Sequence, residues 1–125
     1  SCLYYGLIKN PSPALITGEI SQLINKHKPD VAAVEKLFFF KNQKTIISVS
    51  EMRGAILAAL ASRGVPIREF TPLQVKQAVS GYGRSSKNQV EFMVRLILGL
   101  NEKIKPDDAA DGLAIAICCA NTIVY

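Results

Sequence analysis

The sequence lacks the features that mark several classes of protein. No apolar run reaches the roughly 18 residues needed to span a membrane, and the first residues lack the charged start and apolar stretch of a signal peptide. The three cysteines, Cys2, Cys118 and Cys119, form no CxxC pair, so neither a disulfide framework nor a cysteine zinc site is indicated. The single histidine, His27, falls at the predicted end of a helix, where it favours the helix dipole. We therefore expect a cytoplasmic protein whose cysteines are small buried hydrophobes.

The composition indicates one folded domain with an anionic partner. The 125 residues are 49% hydrophobic and carry a formal net charge of +5, without internal repeats or low-complexity segments. This length is typical of a single domain with its own core. A basic balance favours nucleic acid as a partner, although many basic proteins bind none.

Strand and helix signals alternate along the chain. Apolar runs predict strands at Leu3–Ile8, at Val31–Val34 and at Pro66–Phe70. A hydroxyl cap followed by proline predicts a helix from Ser12 and another from Thr71. Ser85 or Ser86 is the predicted cap of the helix after that. Further helices are predicted around Met52–Leu60, with Gly64 as the stop, and from Pro106–Asp107. This alternation predicts an α/β layered fold.

Three acidic residues stand where a site could form. Glu35 closes the Val31 strand, and ligands of α/β sheets gather at the carboxyl ends of strands. Asp108 and Asp111 share one face at the start of a helix whose continuation, AIAICCA, is apolar enough to be buried. Acids also favour helix N-termini through capping and the dipole, which suffices for Asp107 and leaves both interpretations open for the other two aspartates.

Converging carboxylates would require a cation, because like charges repel at short range. Magnesium prefers oxygen ligands and is usually held by few carboxylates together with substrate phosphates. The acids therefore favour Mg²⁺ and phosphodiester chemistry, in which two ions could act on the attacking and leaving oxygens.

Two stretches of the chain carry basic residues without any acid. They contain Lys36, Lys41 and Lys44 in one case, and Lys76, Arg84 and Lys87 in the other. Such stretches suit phosphate contacts, although ordinary solvated faces look the same. Phe38 lies in a run of three phenylalanines that cannot all point inward, so an exposed ring could stack on an unpaired base or form a subunit interface.

Several segments together resemble the RuvC family of Holliday-junction endodeoxyribonucleases. The resemblance runs from about Ile16 to Thr122 and is carried by PDVAAVEKLFFFKN, SEMRGAILAAL, EFTPLQVKQAVSGYGRSSKNQV and KPDDAADGLAIAI, in the family's order and spacing. The combination is far more specific than any single segment.

The resemblance implies a fold, an activity and a set of site residues. The fold is an RNase H-like mixed sheet flanked by helices, here one nuclease domain over residues 1–125 and N-terminally truncated. The implied enzyme is a bacterial, homodimeric crossover junction endodeoxyribonuclease that nicks four-way DNA junctions symmetrically with Mg²⁺, or Mn²⁺ in its place, alongside the RuvA and RuvB branch-migration proteins. The implied metal ligands are Glu35, Asp108 and Asp111, with Lys87 also catalytic, and the implied DNA contacts are Phe38, Lys41, Lys76, Arg84 and Lys87.

One departure from the family pattern bears on activity. The family's first strand carries an aspartate in a GxDPG-like turn as the first metal ligand, whereas no aspartate precedes Asp30 in these residues. We therefore expect junction binding with little or no cutting from this chain. Two further readings stay open, namely a non-catalytic junction-binding module and another RNase H-like nuclease acting on RNA.

Overall fold

The structure, a computed structural model, describes residues 2, 4–9, 12–36, 43–105 and 107–122, with the backbone alone for residues 43–46. Helices and strands alternate over the first part of the chain, and three helices follow. The elements are α1 (Pro13–His27), β1 (Ala32–Glu35), α2 (Gln43–Ser62), β2 (Ile67–Phe70), α3 (Pro72–Ser80), α4 (Lys87–Leu98) and α5 (Asp107–Thr122). The α/β class predicted from the sequence is confirmed.

The two strands pair side by side and run in the same direction. The amide of Ala32 donates to the carbonyl of Pro66, and the amide of Lys36 donates to the carbonyl of Phe70, both at 2.8 Å. The acceptor moves forward along β2 as the donor moves forward along β1, which is the pattern of a parallel pair. The carboxyl ends of β1 and β2 therefore meet at one edge of the sheet, with Glu35 at that edge.

The predicted strand at Leu3–Ile8 is wrong for the residues that can be judged. Residues 4–9 have no regular secondary structure, and β1 and β2 are the strands of the sheet in the described part of the chain. A strand needs a hydrogen-bonded neighbour, and an apolar run cannot supply one by itself. Leu3 lies outside the described residues.

The chain divides into two compact units. The first, which we call the C-terminal unit, comprises Ser1–Leu7, Ala33–Lys36 and Glu69–Tyr125, and the second, the helix-pair unit, comprises Ile8–Ala32 and Leu37–Arg68.

In the helix-pair unit α1 packs against α2. Ser12 caps α1 by accepting a hydrogen bond from the Leu15 amide at 3.2 Å, as the cap-then-proline signal predicted. Ala59 and Leu60 of α2 are buried with Ile16 of α1. The chain leaves α2 through Gly64, whose φ of 72° lies in the left-handed region that favours glycine.

In the C-terminal unit α5 packs against both α3 and α4. Three alanines of α5, Ala109, Ala110 and Ala114, are buried, and their small side chains let the neighbouring helices approach closely. Cys118 and Cys119 are buried in the same helix as free thiols, as expected, whereas Cys2 is only partly buried, so the expectation is wrong for that residue. The core is completed by Val94 and Ile104, which have no exposed surface.

Across the described ranges, no helix combines the length and the apolarity that a membrane span requires.

Candidate active site

Glu35 and Asp111 form an acidic pair within the C-terminal unit. Glu35 ends β1, where the Lys36–Phe70 hydrogen bond holds the strand end against β2. Asp111 lies one turn into α5 and is exposed. Partial burial raises the pKa of the Glu35 carboxyl above its ordinary value, and the negative charge of Asp111 raises it further. The two carboxylates therefore lie within electrostatic range of each other.

Both carboxylates line one open cleft of about 220 Å³. Two lysines, Lys76 of α3 and Lys87 of α4, line the same cleft. The remaining lining is apolar and consists of Pro72, Val75, Val90, Ala114 and Ile115. Acidic, basic and apolar side chains thus line the same cleft, a combination that can receive a metal ion and a phosphate together.

Lys87 is held loosely by Asp111. Its Nζ lies 3.6 Å from Asp111 Oδ2, and the two side chains are 60% and 50% exposed. An exposed pair at this distance contributes little to stability, so the ammonium group stays available to another anion. Lys87 is also the first residue of α4, an end where a cation opposes the helix dipole. The charge of Lys87 therefore does not stabilise α4 through the helix dipole.

Two helices begin at the cleft, and each beginning is capped by side chains. Thr71 and Gln74 form a reciprocal capping box at the start of α3, and Ser86 and Gln89 form another at the start of α4. The first residues of these helices, Pro72 and Lys87, line the cleft. Helix N-termini favour negative charge through their dipoles and unpaired amides. The cleft is therefore electrostatically suited to a phosphate backbone.

Asp108 is the predicted ligand that the structure does not bring to the cleft. It is exposed in the first turn of α5 and does not line the cleft that Glu35 and Asp111 share. Within the described part of the chain, no three or more acidic, histidine or cysteine side chains are grouped closely enough to hold a metal. Ligation by Asp108 stays a prediction.

The predicted DNA contacts are distributed unevenly. Lys76 and Lys87 line the cleft, and Arg84 is exposed in the loop that leads to α4. Phe38 and Lys41 lie outside the described residues.

Two features of the C-terminal unit were not predicted from the sequence. The first is the hydrogen bond of Ser85, which is 5% exposed, to Ser80; of the two predicted caps, Ser86 is the one that caps α4. Glu91 is 6% exposed, accepts a hydrogen bond from the Ile104 amide at 3.1 Å and lies 2.8 Å from Arg95 Nε. The serines around the Gly81–Gly83 turn were the available signal for the first feature, since serine hydroxyls often bond to turn backbones.

Comparison with known proteins gives one consistent family. A family model described as crossover junction endodeoxyribonuclease RuvC matches residues 9–119. The crossover junction endodeoxyribonuclease RuvC of Moorella thermoacetica is 48% identical over 95% of this chain and 75% of its own length. The protein of the same name from Syntrophomonas wolfei is 54% identical over 80% of this chain and 58% of its own length.

A solved structure agrees with these relatives. T. thermophilus RuvC in complex with a Holliday junction substrate superimposes with a TM-score of 0.84 and 36% identity, covering 92% of this chain and 72% of that one. The fold is therefore the RNase H-like α/β fold. With residues 9–119 matched and about half of the aligned positions identical in the two relatives, the chain belongs to the RuvC family of crossover junction endodeoxyribonucleases.

Proposed function

We propose that this chain is a Holliday-junction resolvase, a structure-specific DNA endonuclease that nicks four-way junctions symmetrically. The observation that carries the proposal is the Glu35–Asp111 pair in a cleft that Lys76 and Lys87 also line. The relatives named crossover junction endodeoxyribonuclease and the likeness to a junction-bound structure support the substrate. The proposal treats residues 1–125 as one nuclease domain that acts as a homodimer in the bacterial cytoplasm, with RuvA and RuvB as partners.

The residues of the cleft fit a divalent metal. Glu35 and Asp111 offer only oxygen donors, and a bound cation would oppose the burial and the repulsion by Asp111 that together raise the Glu35 pKa. Two carboxylates with substrate phosphates are a usual environment for Mg²⁺, and Mn²⁺ suits the same donors. We assign Glu35 and Asp111 as ligands, with Asp108 as the third that the family resemblance implies. One or two bound ions would supply an activated water and stabilise the leaving oxygen.

The lysines of the cleft act on the DNA. Lys76 and Lys87 bind phosphate oxygens and hold the strand over the acidic pair, helped by the helix N-termini that open at the cleft. Lys87 has an exposed ammonium beside Asp111, and in this proposal it stabilises negative charge at the phosphate that is cut.

One observation favours a second function, namely junction binding without cutting. The described residues contain no group of three acidic, histidine or cysteine side chains that could hold a metal ion. A chain with too few ligands would hold the metal weakly and place the attacking water poorly. Its basic surface would still bind DNA, because that binding depends on phosphate contacts.

A synthetic four-way junction distinguishes the two functions. Binding is measured in EDTA and cutting in Mg²⁺, both for the 125-residue polypeptide and for the same polypeptide preceded by the N-terminal strand of a relative. The resolvase proposal expects paired, symmetric nicks from the extended protein. Binding by both proteins with cutting by neither would establish the binding module instead.

Variants of Glu35 and Asp111 test the catalytic role of these two residues. They are made in the 125-residue polypeptide or in its extended form, according to which of the two cuts the junction. Glu35→Gln and Asp111→Asn should each lower the cutting rate at least about 100-fold, because the chemistry depends on fixed ligand geometry. Junction binding in EDTA should be retained. The matched control is Glu102→Gln, which removes an exposed acid that does not line the cleft. Normal cutting by both cleft variants would contradict the assignment.

A further inference from the structure

Two serine hydroxyls join the end of α3 to the start of α4. Ser80 is the last residue of α3, and Ser85 directly precedes Ser86, the cap of α4. Their Oγ atoms lie 2.6 Å apart. Ser85 is 5% exposed, so water has little access to compete for this contact.

The same two hydroxyls close the turn between the helices. Ser85 Oγ lies 2.8 Å from the Tyr82 carbonyl oxygen, and the Ser85 amide donates to that carbonyl at 3.2 Å. Ser80 Oγ lies 3.1 Å from the same carbonyl and 2.6 Å from the Lys76 carbonyl. Gly81, with a φ of 73°, provides the left-handed residue from which the turn departs. The connection is therefore held at several points.

A count of protons shows that the serines must bond to each other. Each hydroxyl has one proton to donate. If Ser80 donated to Lys76 and Ser85 to Tyr82, two oxygens would face each other at 2.6 Å without a proton between them, which is repulsive. Two arrangements avoid this. Either Ser85 donates to Ser80, which donates to the Lys76 or Tyr82 carbonyl, or Ser80 donates to Ser85, which donates to the Tyr82 carbonyl. The serine–serine bond is present in both.

We infer that Ser80 and Ser85 are positioning residues that set the spacing of Lys76 and Lys87 across the cleft. Lys76 lies one turn before Ser80 in α3, and Lys87 lies two residues after Ser85 at the start of α4. Both lysines line the cleft. The inference rests on the proposed function, in which these two lysines bind one DNA backbone.

The physical reason is preorganisation. The phosphates of a DNA strand are spaced at fixed intervals, so two ammonium groups bind them together only at a matching separation. Lysine side chains are flexible, so the separation of the two ammonium groups depends on how firmly the helices that carry them are held. A fixed connection lowers the cost of ordering both groups when DNA binds.

Double-mutant cycles on junction binding test the inference. Ser80→Ala and Ser85→Ala are made in the unmodified chain and in the Lys76→Ala and Lys87→Ala backgrounds. Either single serine variant leaves the remaining hydroxyl a backbone carbonyl to donate to, so the chain should still fold. Dissociation constants are measured in EDTA over a series of salt concentrations, and Ser80→Thr serves as the variant that keeps the hydroxyl.

Coupling between serines and lysines is the expected result. Each serine-to-alanine change should weaken junction binding about threefold or more in the unmodified chain, with a shallower salt dependence. The same change should have no further effect once either lysine is absent, and Ser80→Thr should bind normally. A purely structural role would not change the salt dependence, and it would give equal losses in every background.

Two results would overturn the inference and can be told apart. Equal losses in every background, or none at all, would show that the serines do not act through the lysines while leaving the proposed function intact. Unchanged binding by Lys76→Ala and Lys87→Ala themselves would remove the phosphate contacts on which both proposals depend.

Discussion

Asp111 on α5 lies close enough to Glu35 at the end of β1 for its charge to raise the pKa of the Glu35 carboxyl, after the larger effect of burial. The fold therefore holds together two groups that repel each other. Asp111 has Lys87 as a neighbour at 3.6 Å, but that pair is too exposed to neutralise the repulsion strongly. A carboxyl whose pKa is perturbed by burial and by a neighbouring charge in a cleft is a candidate functional group.

The raised pKa of Glu35 predicts a stability effect that depends on pH. A carboxyl whose pKa is higher in the folded protein loses stability as the pH rises from its ordinary value, about 4.3, through the raised pKa. Glu35→Gln should therefore unfold at a higher temperature than the unmodified chain at pH 7 in EDTA. Below about pH 3, where Glu35 is protonated in both the folded and the unfolded state, the difference should vanish. A lower melting temperature for Glu35→Gln at pH 7 would contradict the repulsive pair.

The two cleft lysines predict a change in salt dependence. Lys76→Ala and Lys87→Ala should each reduce the log–log slope of junction affinity against salt by about 0.9, the value for one lost phosphate contact. Lys105→Ala, which removes an exposed lysine that does not line the cleft, is the matched control. Slopes that match the control in both variants would exclude these lysines as phosphate contacts.

Asp108 is either a metal ligand or only a favourable charge at the start of α5, and one variant distinguishes these two roles. As a metal ligand it should be needed for cutting, so Asp108→Asn should lower the cutting rate about 100-fold and leave the melting temperature nearly unchanged. As a favourable charge at the N-terminus of α5, its loss should cost only about 0.3–1 kcal/mol of stability and no activity. Parallel rate and melting measurements decide between these roles.

Glu91 should be important for stability without acting in catalysis. Its carboxylate is buried, accepts from the Ile104 amide and lies beside Arg95. Glu91→Ala should lower the free energy of unfolding by about 2–4 kcal/mol, because it leaves a buried amide and a partly buried guanidinium without a partner. Glu91→Gln keeps an acceptor for the amide and should cost less. Chemical denaturation measures both, and a near-neutral alanine variant would count against this role.

Phe38 stays a prediction of the sequence, since it lies outside the described residues. If its ring stacks on an unpaired base, Phe38→Ala should weaken junction binding by about 1–3 kcal/mol and leave the melting temperature almost unchanged. Phe38→Tyr keeps the ring and should retain binding. A large loss of stability, about 3 kcal/mol or more, would identify a core residue instead.

Local signals determined much of this protein from the sequence alone. Ser12 and Thr71 start helices as predicted, because a hydroxyl cap followed by proline acts within a few residues. The apolar run after Asp111 forms a helix with one buried face, and Glu35 ends a strand, since periodicity and strand length are local properties. The family was visible for the same reason, because its segments are read directly from the order of residues.

Only the tertiary structure decided which residues meet. Asp108 and Asp111 share a helix face, and the packing of α5 on α3 and α4 determines that Asp111 is the one beside Glu35. Ser86 became the cap and Ser85 the partner of Ser80 because two helices converge at their turn. Residues 4–9 formed no strand, since a strand depends on a neighbour elsewhere in the chain. In each case the outcome depends on contacts between distant residues, which sequence spacing does not encode.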